Sequence, residues 1–139
     1  MRSLVLDTSV AIAWYLPESF RDAARSWQRR LLQGQVQLVV PGLHYWEFGN
    51  VLRTYVRRSE LEADLAREIY ALHLEAPLES AEPDRSAVLT TALEYDASVY
   101  DAVYIALSRA LELPLLTAER TTTPWVVKLG RNVVSVRKG

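Results

Sequence analysis

The sequence contains no cysteine and only two lysines, Lys128 and Lys138, among its 139 residues. Without cysteine, the chain can form neither disulfides nor thiolate metal sites. It also has no apolar run long enough to cross a bilayer and no signal-peptide pattern, so we expect a cytoplasmic protein without a membrane contact. The net charge of −1 argues against a general nucleic-acid coat, but it leaves room for a local basic rim beside an acidic site.

Short apolar runs alternate with amphipathic segments along the whole chain. We predict strands at residues 4–6, 37–40, 76–79, 115–117 and 132–136. Helices are predicted between and around them, at residues 10–15, 20–32, 43–58, 61–74, 83–95, 98–113 and 125–129. Because strands that alternate with helices form parallel sheets covered on both faces, the sequence predicts an α/β protein. We expect a single domain over residues 1–139, with three α/β/α layers and a central, mostly parallel sheet of about five strands.

Four acidic residues occupy positions where ligand sites form in such sheets. Asp7 and Glu119 follow predicted strands, and ligands gather at the carboxyl ends of parallel strands. Glu47 shares a helical face with apolar residues and has no lysine or arginine three or four positions away. Asp101 lies in the first turn of the helix that leads into strand 115–117. The four carboxylates could therefore meet at one edge of the sheet.

The two helical acids also have purely structural interpretations. Ser98 and Asp101 match the capping-box pattern, in which the acid only stabilises the start of the helix. Glu47 could simply extend to the surface, because acids are seldom buried without a partner. The patterns by themselves leave both alternatives open.

A divalent metal ion would explain such a concentration of acids. Carboxylates in one pocket raise each other's pKa unless a cation neutralises them. Oxygen ligands without cysteine or a histidine pair favour Mg²⁺ or Mn²⁺ over zinc, and such a site can hydrolyse phosphodiesters. The hydroxyl of Thr8 or Ser9, and the amide of Asn50 one turn from Glu47, could hold the carboxylates or metal-bound waters. Alternatively, Thr8 or Ser9 only caps the first helix.

Four segments together resemble a PIN domain, most closely the VapC-type toxin ribonucleases of bacteria and archaea. They are LVLDTSVAIAWYLPE at the start, the helix YWEFGNVLRTYVRR, SVYDAVYIALSRALELPLLTAE, and a closing NVVSV strand. The resemblance covers essentially the whole chain. It implies an α/β/α domain with about five parallel strands, Mg²⁺- or Mn²⁺-dependent cleavage of RNA, a homodimer, and inhibition by a small VapB-type antitoxin.

The resemblance also implies roles for the four acids. Asp7 and Asp101 match the metal-binding aspartates of the family, and Glu47 matches the acid of its second motif. Glu119 stands where the family usually has aspartate, and one extra methylene can displace a carboxylate by about 1 Å. We therefore expect Asp7, Glu47 and Asp101 to hold the metal, with Glu119 as a fourth, less tightly positioned catalytic acid.

Basic residues would be needed to hold the phosphates of an RNA substrate. The candidate rim lies at the end of the Glu47 helix and in the C-terminal region, and comprises Arg53, Arg57, Arg58, Lys128, Arg131, Arg137 and Lys138. These side chains could equally form an ordinary solvated face.

The aromatic side chains and the two histidines indicate a function less specifically than the acids do. Trp125, Trp46 or Tyr45 could stack on a base, although core packing is the commoner role of aromatic residues. His44 and His73 look isolated, with no partner placed for a triad or a zinc site. We predict no catalytic role for either histidine.

Two other classes of function compete with a nuclease. A phosphatase or a phospho-accepting receiver domain would share the strand-end aspartate, but a receiver also needs a lysine at a later strand end, and no lysine precedes Lys128. The non-enzymatic alternative is a degenerate PIN-like module that binds RNA or a partner, with weak or no nuclease activity. Glu119, in place of the usual aspartate, slightly favours this second alternative.

Overall fold

A five-stranded parallel sheet forms the centre of the protein, whose computed structural model describes residues 1–137. The strands are β1 (Arg2–Leu6), β2 (Val36–Val40), β3 (Glu79–Ser80), β4 (Leu115–Thr117) and β5 (Val133–Ser135). Their order across the sheet is β3-β2-β1-β4-β5, and every neighbouring pair is parallel. The predicted three-layer fold with about five strands is therefore confirmed.

Helices cover both faces of this sheet. They are α1 (Thr8–Ile12), α2 (Arg21–Leu32), α3 (Leu43–Arg57), α4 (Ala63–Leu74), α5 (Arg85–Tyr95), α6 (Val99–Leu111) and α7 (Pro124–Leu129). A short 3₁₀ turn, Gly130–Asn132, joins α7 to β5. All seven predicted helices are present, with their ends shifted by a few residues.

The first helix and the edge strand β3 begin at other residues than predicted. The first helix begins at Thr8, two residues earlier than predicted, because Asp7 adopts an extended conformation and serves as its N-cap. The edge strand β3 begins only at Glu79, because the chain turns at Pro77, where the Leu78 N–H donates to the Ala76 carbonyl at 2.8 Å. Proline has no N–H for a sheet ladder, so the strand starts after it.

The two faces of the sheet are buried in separate clusters. Leu4, Leu6 and Leu38 face one side, where α1 to α4 pack, while Val5, Val39 and Leu115 face α6 and α7 on the other. Successive strand residues point to opposite faces, so a strand covered on both sides needs consecutive apolar residues. This explains the uninterrupted apolar runs in the sequence.

The order of the strands reverses at the boundary between β1 and β4. The chain moves outward from β1 to β2 and β3, and then returns to β4 on the other side of β1. Leu6 pairs with Leu116, and the Asp7 N–H donates to the Leu116 carbonyl at 2.9 Å. The end of β1 therefore lies beside the end of β4, at the position where ligands bind in open parallel sheets.

No helix among residues 1–137 combines the length and the apolar character needed to cross a lipid bilayer.

Candidate active site

A cavity of about 510 Å³ opens at the carboxyl ends of β1 and β4. The structure brings all four predicted acids to it, and they come from four different places in the chain: Asp7 after β1, Glu47 in α3, Asp101 in α6 and Glu119 after β4. A fifth acid, Glu18, also lines this acidic cavity. Its carboxylate accepts a hydrogen bond from the hydroxyl of Tyr55 at 3.1 Å.

Asp7 is held by hydroxyl groups on one of its two oxygens. Thr117 Oγ1 donates to Asp7 Oδ2 at 2.7 Å, and Ser9 Oγ donates to the same oxygen at 3.1 Å. Ser9 Oγ in turn accepts from the Ala118 N–H at 3.1 Å. These bonds fix the carboxylate between the ends of β1 and β4, and they leave Oδ1 for a ligand.

The charge on Asp7 is poorly compensated. Burial, together with the nearby carboxylates of Asp101 and Glu47, raises the pKa of Asp7 to about 6, against the hydrogen bonds from Thr117 and Ser9. A carboxyl group in this position gains from any cation that approaches it.

Glu47 projects into the cavity from one face of α3. Tyr104 Oη donates to Glu47 Oε1 at 2.6 Å, and Thr8 Oγ1 lies 3.2 Å from the same oxygen. Burial raises the pKa of Glu47, as does the charge of Asp101, while the two hydroxyl groups oppose this shift. Glu47 is therefore not an acid that simply extends into solvent.

Asn50 is the predicted site residue that the structure does not bring to the acids. The cavity face of α3 comprises Glu47, Val51, Thr54, Tyr55 and Arg58. Three residues of helix turn a side chain by about 300°, so Asn50 sits about 60° away from Glu47. It is exposed and lines a separate groove between α3 and α4. The structure therefore does not place Asn50 beside the carboxylates.

Asp101 enters the cavity from the first turn of α6. The Ser98 hydroxyl caps this helix by accepting from the Asp101 N–H at 3.0 Å. The Asp101 side chain lines the acidic cavity, where burial raises its pKa and the neighbouring Glu119 carboxylate raises it further. The cap and the cavity thus use different groups of the same residue.

Glu119 is turned partly toward its own loop. Its Oε1 accepts from Thr123 Oγ1 at 3.1 Å and from the Arg120 N–H at 3.2 Å. Its N–H donates to Thr117 Oγ1 at 3.0 Å, so the start of this loop is tied to the group that holds Asp7. The longer side chain therefore reaches the cavity while one of its oxygens is engaged by the loop.

The chemistry of the site suits a hard cation. Within residues 1–137 the one ion pair joins Arg67 to Asp64 on the surface, so no basic side chain lies within ion-pair distance of the acids. Over the same residues, no three acidic or histidine side chains are close enough to form a ready-made metal cage. Mg²⁺ needs no such cage, because it typically keeps several waters and takes one or two carboxylates. Asp7 with Glu47 or Asp101 provides the oxygens for such an ion.

Only part of the predicted basic rim reaches this site. Arg58 and Arg137 line the acidic cavity, together with Arg120, which the prediction omitted. The other predicted rim residues lie away from the acidic cavity, which corrects the prediction. Arg53 lines the groove between α3 and α4, and Lys128 lies 5.2 Å from the ring of Tyr95 beside another cavity. Arg57 and Arg131 are exposed elsewhere on the surface. Lys138 lies outside the described residues.

The aromatic residues proposed for base stacking do not line the acidic cavity. Trp125 is buried in the core, Trp46 is 74% exposed in the groove between α3 and α4, and the ring of Tyr45 packs against His44 at 5.3 Å. Phe20 and Tyr55 are the aromatic residues that line this cavity, and the guanidinium of Arg137 lies 4.8 Å from the Phe20 ring.

Further polar residues of the site escaped the sequence analysis. Tyr104 is three residues after Asp101 and so shares its helical face, and Thr117 lies opposite Asp7 once β1 and β4 are paired. The spacing on the helix was visible in the sequence, whereas the pairing of β1 with β4 was not. The prediction that the two histidines are isolated is wrong, because their Nε2 atoms lie 2.8 Å apart in the core.

Comparisons with known proteins agree with this geometry. The sequence profile of the PIN domain family matches residues 4–121. Ribonuclease VapC3 from Pyrobaculum aerophilum is 31% identical over 121 residues, which cover 84% of this chain and 89% of that protein.

Solved structures share the fold at lower sequence identity. PAE2754 from Pyrobaculum aerophilum superposes with a TM-score of 0.74 at 20% identity, over 97% of this chain and 84% of that one. A chain of a toxin-antitoxin complex from Klebsiella pneumoniae gives a TM-score of 0.61 at 14% identity, over 97% and 98% of the two chains. With the profile match and the 31% identical relative, these results show that the chain belongs to the PIN domain family.

Proposed function

We propose that this protein is an endoribonuclease that uses Mg²⁺ or Mn²⁺ to hydrolyse phosphodiester bonds in single-stranded or structured RNA. The observation that carries this proposal is the meeting of Asp7, Glu47 and Asp101 in one cavity, with none of them in an ion pair with a basic side chain among residues 1–137. The name of the relative Ribonuclease VapC3 supports the choice of RNA as substrate.

The residues of the site have distinct roles in this proposal. A bound divalent ion would supply an activated water and stabilise charge on the leaving oxygen. Asp7 with Glu47 or Asp101 would hold that ion directly, and the remaining carboxylate of the three would bind it through a water. Thr117 and Ser9 orient Asp7 by donating to Oδ2, and Tyr104 and Thr8 orient Glu47 through Oε1. Fixed carboxylates need little rearrangement when the ion and the substrate bind.

Three arginines on the rim would position the RNA. Arg58, Arg120 and Arg137 flank the acids, and the last two also line an adjoining cavity of about 560 Å³. Guanidinium groups pair with phosphate oxygens in a bidentate manner without reading the base. A basic rim around an acidic centre would hold the phosphates on either side of the cleaved bond.

The test is cleavage of a single-stranded RNA by the purified protein with Mg²⁺ or Mn²⁺. We expect activity with metal, none after addition of EDTA, and none in Asp7→Asn or Asp101→Asn, with circular dichroism unchanged. Asp64→Asn is the matched control, because Asp64 is exposed and paired with Arg67 away from the cavity. Activity that persists in EDTA, or in both cavity variants, would contradict the proposed mechanism.

The biological role that we propose is that of the toxin of a VapBC-type pair, active in the cytoplasm as a single domain over residues 1–139. The fold shared with a chain of a toxin-antitoxin complex supports this role. A VapB-type antitoxin could bind the apolar groove between α3 and α4, where Trp46 is exposed. Co-expression with a small protein encoded beside the gene should give a stable complex and relieve toxicity.

The alternative is a degenerate module that binds RNA or a partner without cleaving it. The observation in its favour is Glu119, whose Oε1 is engaged by Thr123 and Arg120 in its own loop. RNA binding without cleavage under any tested divalent metal would support this alternative. We would then expect Glu119→Asp to increase metal affinity, because a shorter side chain could leave the loop donors.

A further inference from the structure

A continuous chain of polar side chains, buried except for its half-buried ends, runs from Glu47 into the core between α1, α3, α4 and α6. In order, its members are Glu47, Tyr104, Thr8, His44, His73 and Tyr15, and we call it the Glu47–Tyr15 chain. The successive contacts are 2.6, 2.7, 3.0, 2.8 and 3.0 Å long. Both histidines are fully buried. Nothing in the proposed chemistry of the site uses them.

Both imidazoles of this chain are uncharged at neutral pH. Burial lowers the pKa of His44 to about 3, helped by the neighbouring His73, and burial lowers the pKa of His73 to about 4. A neutral imidazole carries one N–H and one acceptor nitrogen. Because the two Nε2 atoms face each other at 2.8 Å, one of them must donate and the other must accept.

The number of hydrogens sets the direction of every bond. Five contacts join successive side chains, a sixth joins Thr8 Oγ1 to Glu47 Oε1 at 3.2 Å, and with Glu47 ionised each of the other five members has one polar hydrogen. An ionised Glu47 can only accept, so Tyr104 donates to Glu47, and the Thr8 hydrogen is shared between Tyr104 Oη and Glu47 Oε1. His44 then donates from Nδ1 to Thr8, His73 donates from Nε2 to His44, and Tyr15 donates to His73 Nδ1.

Any other arrangement leaves one contact without a hydrogen. If His44 carried its hydrogen on Nε2, Thr8 would have to donate to His44 Nδ1. The 2.7 Å contact between Thr8 and Tyr104 would then be filled only by the hydrogen of Tyr104, and Glu47 would lose its donor at 2.6 Å. Two oxygens held this close without a hydrogen between them repel each other. The tautomers of both histidines are therefore coupled to the ionised state of Glu47.

We propose that His44 and His73 are positioning residues that keep Thr8 and Tyr104 donating toward Glu47, and so present its carboxylate to the divalent cation. The proposal rests on the proposed function, in which Glu47 helps to hold that cation. Hydrogen bonds that all point the same way reinforce one another. The His73 ring is itself held in place by stacking on Phe48, with 4.0 Å between ring centroids and 11° between planes.

The first test measures the tautomers of the two histidines in the metal-free protein at neutral pH. Long-range ¹H–¹⁵N NMR distinguishes a hydrogen on Nδ1 from one on Nε2, and the protein has only two histidines to assign. We expect the hydrogen on Nδ1 for His44 and on Nε2 for His73. The opposite tautomer in either ring, or a charged ring, would overturn the proposal. This measurement needs no variant that alters the core.

The second test compares two substitutions of His44 by the affinity for Mn²⁺, measured by electron paramagnetic resonance. Asparagine carries an amide N–H near the position of Nδ1 and can still donate to Thr8, whereas leucine cannot donate. We expect His44→Leu to weaken Mn²⁺ binding about tenfold, as is typical when a partner that orients a ligand is lost. We expect His44→Asn to bind Mn²⁺ nearly as the wild type does. A purely structural role would give the opposite order, because leucine is better suited to an apolar core than asparagine.

Tyr70→Phe is the control, because the Tyr70 hydroxyl donates to the Tyr45 carbonyl at 2.9 Å between the same helices without joining the Glu47–Tyr15 chain. Its affinity for Mn²⁺ should not change. Equal affinities for both His44 variants would show a merely structural role and overturn the proposal. A wild-type protein that does not bind Mn²⁺ would instead contradict the proposed function. The tautomers measured by NMR would still decide the direction of the hydrogen bonds in the Glu47–Tyr15 chain.

Discussion

Asp7 is the residue at which the fold opposes ionisation most clearly. Its backbone continues β1, and its side chain is fixed between Ser9 and Thr117 at the end of the sheet. Burial and the nearby carboxylates keep its pKa at about 6, while an exposed aspartate has a pKa of 3.8. In the absence of metal, the negative charge therefore destabilises the folded protein at neutral pH.

We predict that Asp7→Asn stabilises the metal-free protein at pH 8. A pKa that is about 2 units higher in the folded than in the unfolded state corresponds to a gain of at most about 3 kcal/mol in the free energy of unfolding when the carboxyl is removed. The cost of the charge is fully present above the folded pKa of about 6, falls as the pH drops through that value, and disappears below the unfolded pKa of 3.8, where the carboxyl is protonated in both states. The gain should therefore shrink to near zero at a pH of about 3.

Urea denaturation in EDTA at several pH values measures this effect. Asp64→Asn, on an exposed side chain, should show no comparable dependence on pH. Added Mg²⁺ should stabilise the wild type and not Asp7→Asn, since an ion that binds only the folded state shifts unfolding in proportion to its affinity. An Asp7→Asn protein less stable than the wild type at pH 8 would contradict this account of the site.

Single residues were predictable where their function follows from local position. Asp7 and Asp101 stand at a strand end and a helix start, and these positions place acids at a ligand-binding edge without further information. Tyr104 and Thr117 are ordinary as residue types, so they acquire a role only through the partners they meet across the fold. His44 and His73 are the extreme case, because 28 residues separate two side chains that share a hydrogen bond.

At the scale of elements, α3 shows how a helix can serve two surfaces. Its cavity face carries Glu47 and Arg58, while the face toward α4 carries Asn50 and Arg53. The sequence predicts the helix well but defines each face only to within about 60°, because buried residues occur on more than one side. Packing against α1 on one side and α4 on the other decided which residues reach the acids.

The two faces of α3 lead to a prediction about RNA. Arg58→Ala should weaken binding of single-stranded RNA and reduce the salt dependence of binding, with a change in slope of about 0.7 for the loss of one phosphate contact. Arg53→Ala, five residues earlier on the same helix, should change neither quantity, because Arg53 lines the other groove.

Fluorescence anisotropy over a range of salt concentrations measures both quantities. An Asp101→Asn background prevents cleavage during the measurement. Equal losses for Arg58→Ala and Arg53→Ala would mean that RNA follows a path other than the rim of the acidic cavity.

At the scale of the whole molecule, one helical face stands out as uncovered. Leu89 and Leu93, four residues apart on α5, are 61% and 76% exposed, while Val88 and Ala92, about 100° away around the helix, pack against α6. Exposed leucines on successive turns of one helix are typical of a surface that another protein covers. The homodimer implied by the family resemblance would explain this face.

We predict that Leu93→Glu shifts the protein toward the monomer. A charge at the centre of an apolar interface would remain without a partner, and it would also face its own copy across a twofold axis. Sedimentation velocity measures the outcome. Leu32→Glu, on an exposed leucine at the end of α2, is the control and should not change the mass of the species. A wild-type monomer at high concentration would contradict the homodimer.

The amino-acid sequence by itself determined the elements and their type. Consecutive apolar residues in the strands, the helical stripes and the stops at Pro17 and Pro114 depend only on neighbours in the chain, and the alternation of strands and helices led directly to a parallel sheet. The positions of the acids relative to these elements followed from the same local rules.

Tertiary structure alone decided which side chains meet. The pairing of β1 with β4 brings Thr117 to Asp7, and the packing of α1, α3, α4 and α6 joins Glu47 to Tyr104 and buries the two histidines together. Such contacts connect residues far apart in the chain, and many alternative partners satisfy the same local pattern. Their selection depends on the packing of the whole core, which no short stretch of sequence specifies.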